Sequence, residues 1–289
     1  MVTLLGSPPL NPQIMIPMLI SYAIIFAISV ILLFKDKMTK KISIIILLAS
    51  IIVPGFILGS GAHPVFAFQQ VLSIVSNAIH HPAMASKILP NMMMLLVVFI
   101  AFTVSTIIFG RTFCGYVCPL GAVQELTSKL LIGKKVKKHK YVIEIPEKLA
   151  NYFRFGIFIG SIILTLVWSF ALFSIINPFN AFTISTNILN LLIILIPIIL
   201  FVVIAVSSIF IYRPWCRLLC PFGTIAWLTS RFSIFKLRRT DKCTECKACE
   251  KICPTGEAFE TSKKSECYQC MRCVDTCPSD AISYKGKNK

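Results

Sequence analysis

Five long apolar runs constrain the fold of this chain more than any other feature of its sequence. A helix rises about 1.5 Å per residue, so roughly 20 apolar residues are needed to cross the hydrocarbon core of a bilayer. Apolar residues make up 56% of the 289 residues and charged residues only 14%, which excludes an ordinary soluble globule. Runs of the required length lie at Ile14–Phe34, Ile42–Gly59, Met92–Gly110, Phe155–Ile176 and Ile188–Tyr212. They predict an all-α, polytopic membrane bundle of about five transmembrane helices.

The positive charges predict how these helices are oriented. Cytoplasmic loops retain lysine and arginine, and Lys87 is the only one of 29 basic residues outside the segments 35–41, 111–154 and 213 onward. We therefore expect a multi-pass protein of the cytoplasmic membrane, with its N-terminus outside and everything after Tyr212 in the cytoplasm. The formal net charge of +17 indicates either attraction to anionic membrane lipid or docking of an acidic redox partner.

An outer segment separates the second and third apolar runs. Its apolar residues recur at helical spacing from His63 to Ile79, which predicts a helix that lies flat at the membrane surface. Aromatic residues occur here and in the matching outer segment of the second half, and we expect them to pack at the interface. They are Phe66, Phe68, Phe179 and Phe182.

The last eight of the twelve cysteines form two copies of the pattern C-x2-C-x2-C-x3-C-P. This is the spacing of bacterial ferredoxins with two [4Fe-4S] clusters, in which the fourth cysteine of each run binds the other cluster. The crossed scheme predicts two ligand sets: Cys243, Cys246, Cys249 and Cys277 for one cluster, and Cys267, Cys270, Cys273 and Cys253 for the other. Zinc is the alternative, because paired C-x2-C motifs also bind zinc, but it leaves the third and fourth cysteines of each run without a role.

A second pattern, C-x3-C-P, occurs in the phrases RTFCGYVCPLG and RPWCRLLCPFG, each at the end of an apolar run. Because the flanking residues also match, we interpret the membrane part as a parallel internal repeat about an axis along the membrane normal. Such an axis would bring four thiols together: Cys114, Cys118, Cys216 and Cys220. Three interpretations stay open, namely buried structural cysteines, a regulatory or metal-sensing thiol pair, and a shared metal or iron–sulfur site.

These features divide the chain into four parts. Residues 1–41 form an extra transmembrane helix with a basic inner loop, and residues 42–140 and 141–239 form the two membrane repeats. Residues 240–289 form a small α+β ferredoxin domain with two clusters. The sequence contains no C-x-x-C-H haem motif and no dinucleotide-binding glycine motif.

Two C-x3-C-P motifs followed by a two-cluster ferredoxin region resemble the NapH family, the membrane subunit of quinol dehydrogenases, and its NosR-type and CcoG-type relatives. The resemblance covers about residues 42–284 and all twelve cysteines. It implies an electron-transfer protein with membrane lipid, the quinone pool, an iron–sulfur redox partner and a terminal reductase as its partners, and no nucleic acid. The alternative that it implies is a CcoG/NosR-like metal reductase, cofactor-assembly or redox-regulatory protein. No catalytic residue is assigned.

Overall fold

The computed structural model describes residues 12–61, 63–80, 85–132, 143, 145–168, 176–185, 191–259 and 261–286, most of which are helical. The membrane part, as far as residue 230, contains eight α-helices among the described residues: α1 (Pro12–Phe34), α2 (Lys40–Ser50), α3 (Pro64–His80), α4 (Ala85–Phe109), α5 (Pro119–Ile132), α6 (Glu147–Trp168), α7 (Leu191–Phe210) and α8 (Pro221–Ser230). A π-helical segment, Ile51–Ile57, extends α2, and a 3-10 helix, Pro178–Ser185, precedes α7.

Three of these helical segments are long and apolar enough to cross a membrane. They are Met15–Phe34, Lys40–Ile57 and Glu147–Trp168, and shorter apolar helices lie at Leu95–Phe109 and Leu195–Phe210. Apolar side chains cover their outer faces, whereas polar side chains such as those of Ser29, Thr106 and Ser161 are buried between helices. This inside-out distribution fits helices whose surroundings are lipid, because buried hydroxyl groups then hydrogen bond within the protein.

Helix α3 buries one face against its neighbours, and its placement flat at the membrane surface stays a prediction. It packs against α4 and α6, and the ring of Phe68 stacks on that of Phe158 at 5.4 Å. Ahead of α3, the ring of His63 stacks on Phe179 at 3.8 Å, and Phe182 is fully buried. The aromatic residues Phe68, Phe179 and Phe182 are therefore buried, because α3 packs against α6 and the 3-10 helix packs against α7 and the π-helical segment.

The two C-x3-C-P motifs have the same local structure. A residue with positive φ precedes each motif, Gly110 at 68° and Arg213 at 51°. A π-helical turn follows in each, Phe113–Val117 and Trp215–Leu219. The second cysteine then leaves the helical conformation, and the next residue is a proline that begins α5 or α8. Proline suits this first position, since the missing N–H has no partner there in any helix.

Residues 236–286, called the tail below, form the small α+β unit. Strands β1 (Lys236–Arg239) and β2 (Ile282–Lys285) pair antiparallel, with Lys236 opposite Lys285. Two short helices lie between them, α9 (Ala248–Ile252) and α10 (Arg272–Asp275). Strand β1 thus precedes Thr240, where the cysteine-rich region begins in the sequence.

The end of the tail returns to the first helix of the chain. The Tyr284 ring packs edge-on against Phe34 of α1 at 5.2 Å. Its hydroxyl donates to the carbonyl oxygen of Phe109 at 2.8 Å. The tail therefore contacts the ends of both α1 and α4.

Candidate iron–sulfur sites

The structure brings the four thiols of the C-x3-C-P motifs together. Cys114, Cys118 and Cys216 are buried, and Cys220 is half-buried. Burial, followed by the nearby Cys216 thiol, raises the pKa of Cys114 to about 11. Burial and the same neighbours, Cys216 and Cys114, also raise the pKa of Cys118 and of Cys220. The thiols therefore disfavour one another's ionisation, and several thiolates could share such a site only beside a positive charge such as that of a metal centre.

Hydrogen-bond donors already point at these sulfurs. The N–H of Gly223 donates to Cys220 Sγ at 3.3 Å, and Gln124 Nε2 donates to Cys216 Sγ at 3.4 Å. A side chain at Gly223 has no room, because its Cβ would lie 2.5 Å from the Cys216 carbonyl oxygen. Hydrogen bonds of this kind stabilise thiolate ligands and tune the potential of iron–sulfur groups.

Two buried arginines connect the motifs. Arg213 Nη1 donates to the carbonyl oxygen of Cys114 at 2.5 Å, and Arg111 Nη2 donates to that of Gly223 at 3.0 Å. Each arginine thus reaches across to the opposite motif, and both are fully buried. Since arginine stays protonated in proteins, the pair supplies two positive charges beside the thiols. Arginines at the end of a membrane helix usually anchor it at the membrane surface. Arg111 and Arg213 differ from such anchors because both are buried inside the protein.

In the tail, one cavity is lined by four cysteines of the second predicted set. They are Cys253, Cys267, Cys270 and Cys273. The first three cysteines of the second run and the fourth of the first run thus line one cavity, and the crossed ligand scheme stays a prediction. Burial raises the pKa of Cys267 to about 12, so a thiolate there would be stabilised by a positively charged metal centre.

The backbone of both tail loops has the conformation that directs N–H groups towards an anionic group. Glu245 and Lys247 in the first loop, and Gln269 and Met271 in the second, have φ between 54° and 64°. Left-handed residues alternating with right-handed ones turn successive N–H groups to one side, a concave arrangement found at phosphate and iron–sulfur sites. Both loops carry these residues two and four positions after their first cysteine.

The remaining predicted set lies nearer the tail surface. Cys249 is buried, Cys243 and Cys277 are half-buried, and Cys246 is exposed. Although desolvation acts in the opposite direction, the Ala281 N–H and the Ser279 hydroxyl lower the pKa of Cys277. The Ala281 N–H donates to Cys277 Sγ at 3.3 Å.

The described residues supply the thiols that iron–sulfur groups need. In the tail, four thiols line one cavity. The left-handed residues of the two loops suit an anionic group there. Within the described part of the chain, no group of three or more histidine, cysteine, aspartate or glutamate side chains is already placed to hold one metal ion.

Sequence reasoning missed the residues that seat the tail on the membrane part. Glu266, which is 1% exposed, accepts from Arg217 Nε at 2.9 Å and is also paired with Arg154. Glu125, also 1% exposed, accepts from Arg213 Nε at 3.1 Å and from Arg272 at 3.3 Å. Desolvation of Glu125 is outweighed by Arg272 and Arg213, which lower its pKa to about 2.

The contacts between the tail and the membrane part could have been suspected from positions at which the two aligned C-x3-C-P segments differ. Gly115 stands in one phrase where Arg217 stands in the other, and Glu125 corresponds to Trp227. Arg217 pairs with Glu266 of the tail, and Gly115 packs against the tail backbone. Because a single tail contacts two similar motifs, some of the contact residues differ between them.

Comparison with known proteins agrees with this donor set. A family described as "4Fe-4S binding domain" matches residues 91–139 and 193–240, each around one C-x3-C-P motif. Two further families with the same description match residues 238–256 and 264–284. The chain therefore contains 4Fe-4S binding domains at the end of a mostly helical protein with membrane-type helices.

Curated relatives share these features over part of their length. MJ0750 of Methanocaldococcus jannaschii is 33% identical over 54% of this chain and 63% of its own length. The ferredoxin-type protein NapH of Haemophilus influenzae is 24% identical over 62% of this chain and 60% of its own length. The regulatory protein NosR of Stutzerimonas stutzeri is 27% identical over 52% of this chain and 21% of its own length.

The resemblance to NapH-type and NosR-like polyferredoxins is thus confirmed. The matched stretches span less than two thirds of each of these three relatives. No solved structure matches the chain.

Proposed function

We propose that this protein is a membrane-bound electron-transfer subunit that passes electrons between the quinone pool and an iron–sulfur redox partner. The observation that carries the proposal is the packing of Tyr268 of the tail against Arg111 and Arg213, which bind the backbone of the paired-thiol motifs. Thiol groups that only stabilised the fold would not require buried arginines and a second set of thiols beside them. The ferredoxin-type name of the relative NapH supports the same class.

In this proposal the bundle is a parallel repeat with five transmembrane helices, the N-terminus outside and the tail in the cytoplasm. The match of one family to both halves supports the repeat. The domain limits are those predicted from the sequence, with β1 added to the ferredoxin domain.

The tail cysteines hold two [4Fe-4S] clusters in the crossed scheme, and a third metal or iron–sulfur group is bound by Cys114, Cys118, Cys216 and Cys220. When bound, such groups supply one-electron transfer. The protein provides the thiols, excludes water from them and compensates their negative charge with Arg111 and Arg213.

The proposed partner docks on the tail side, where basic residues are exposed near the first ligand set. Lys242 and Lys247 are exposed, as is Cys246 itself. Asp241 and Glu245 are exposed beside these lysines, so an acidic iron–sulfur protein would be attracted by the formal net charge of +17 of the whole chain rather than by this loop alone. A terminal reductase further along the chain of carriers then accepts the electrons.

Reduction of the tail by quinol tests this function. In native membranes that contain the protein, we expect added quinol to bleach the visible absorbance of the tail clusters, and quinone to restore it. A tail-cluster variant, Cys246→Ser, serves as the control for absorbance from other proteins. If the clusters respond to no quinol or quinone of any potential tested, the proposal is contradicted. That result would favour the second candidate, a metal reductase or regulatory protein. The relative NosR, which is called a regulatory protein, supports the regulatory role.

Replacement of the paired thiols tests the third site. We expect the double variant Cys114→Ser, Cys216→Ser to lose one electron paramagnetic resonance (EPR) signal and its share of iron, while the tail signals persist. The reciprocal variant Cys246→Ser should change a tail signal and leave the other intact. Unchanged iron content and spectra in the double variant would show that these cysteines are structural.

A further inference from the structure

Tyr268 lies between the two sets of thiols. It belongs to the second tail loop and lines the same cavity as Cys267 and Cys270. Its ring also packs against Arg111 and Arg213, which bind the backbone of the motifs that carry the paired thiols. Only 2% of the surface of Tyr268 is exposed. One buried side chain thus joins the cavity of the tail thiols to the arginines of the paired-thiol motifs.

Two arginines fix the position of this ring. The guanidinium carbon of Arg111 lies 4.9 Å from the Tyr268 ring centroid, and that of Arg213 lies 4.6 Å from it. Arg111 Nη1 also donates to Tyr268 Oη at 2.5 Å. Because each arginine is bound to the backbone of the opposite C-x3-C-P motif, the ring is held by both motifs together.

The backbone around Tyr268 is in equally close contact with the first motif. A Cβ at Gly115 would lie 2.5 Å from the Tyr268 carbonyl oxygen. The Tyr116 hydroxyl donates to the next carbonyl oxygen, that of Gln269, at 2.6 Å. The tail loop is therefore fixed on the first C-x3-C-P motif by these backbone contacts. From this loop, the Tyr268 side chain extends to Arg111 and Arg213.

We propose that Tyr268 is the positioning residue that sets the electronic contact between the paired thiols and the tail thiols. This inference rests on the proposed function, in which both sets hold iron–sulfur groups. With groups bound at both sites, the one electron that left the tail group would be the one that entered the group at the paired thiols, or the reverse. Tyr268 is neither oxidised nor deprotonated in this transfer. Its ring fills the space between the two sites, where an empty gap would weaken the electronic coupling between them.

Three full-length variants in membranes test this role. Tyr268→Leu removes the ring, Tyr268→Phe keeps the ring but removes the hydroxyl, and Tyr116→Phe removes a different hydrogen bond across the same interface. Dithionite supplies electrons from the water side, so the outcome does not depend on quinol. Rapid-freeze EPR follows the delay between reduction of the tail and of the paired-thiol group, and the magnetic broadening between the reduced groups reports their contact independently of any turnover.

For Tyr268→Leu we expect a longer delay and a loss of broadening at unchanged iron content. Tyr268→Phe and Tyr116→Phe should resemble the unmodified protein in both measurements. The inference is overturned if Tyr268→Leu transfers electrons as fast as the unmodified protein, if Tyr268→Phe is as slow as Tyr268→Leu, or if Tyr268→Leu loses tail iron. Normal transfer from dithionite with no response to quinol would overturn the proposed quinol reaction and leave the role of Tyr268 standing.

Discussion

Replacing Glu266 with alanine is expected to weaken the seat of the tail by about 3–5 kcal/mol, because it leaves buried charges without their partner. Glu266 is the carboxylate shared by Arg154 and Arg217, and both of these arginines are buried. Arg154 and Arg217 belong to the membrane part, so the loss falls on the contact between the tail and the helices. Limited proteolysis around β1 should become faster, and the thermal unfolding midpoint of the full-length protein should fall.

The matched control is Glu250→Ala in the same tail. Glu250 pairs with Arg239 at 2.6 Å, but the two side chains are 15% and 19% exposed. A partly solvated pair contributes less than about 1 kcal/mol in most measurements. We therefore expect Glu250→Ala to leave proteolysis of the β1 region almost unchanged. Equal sensitivity of the two variants would show that Glu266 does not seat the tail.

Gly115→Ala is expected to separate the tail from the first C-x3-C-P motif without removing any hydrogen-bonding side chain. The new methyl group would lie 2.5 Å from the Tyr268 carbonyl oxygen. This atom belongs to the backbone and cannot rotate away, so the tail loop has to shift. Overpacking of this kind costs about 1–3 kcal/mol. We expect Cys267 and Cys270 to react faster with a thiol reagent in protein stripped of iron.

Gly156→Ala is the control for Gly115→Ala. Gly156 lies within α6, and a Cβ there would meet nothing within 4 Å. Alanine in a helix interior is favoured over glycine by about 0.5–1 kcal/mol, so this variant should be as stable as the unmodified protein or slightly more stable. Thiol reactivity that is the same in both variants would contradict the close contact at Gly115.

The cysteine spacing predicted the local structure of the chain well and its long-range contacts less well. The C-x2-C-x2-C runs indicated loops that meet, and the structure places Cys253 beside the three cysteines of the other run. The apolar runs predicted helices, because a repeating apolar surface has a helical period that can be read directly. Membrane crossing, by contrast, is supported by length and composition for three of the described helices.

The seat of the tail could not be predicted, because buried ion pairs join residues that are far apart in the sequence. Arg154 and Glu266 are separated by 112 residues, and neither belongs to a motif. Similarly, the amphipathic pattern of α3 predicted an apolar face. It did not show that Gln69 Nε2 donates a hydrogen bond to Thr165 Oγ1 of α6 at 3.5 Å. Sequence pattern shows that a face is apolar, and it does not show whether lipid or protein covers it.

The contact of Tyr284 with Phe34 and Phe109 has a consequence for how the protein is made. A ribosome completes α1 and α4 long before it reaches β2, and the buried Arg111 and Arg213 have no tail to contact during that interval. The ends of α1 and α4 that contact the tail therefore stay incomplete during that interval. Their packing is completed only when residues near 284 have been synthesised and paired with β1, so the final packing of the membrane part depends on a segment that is translated after it.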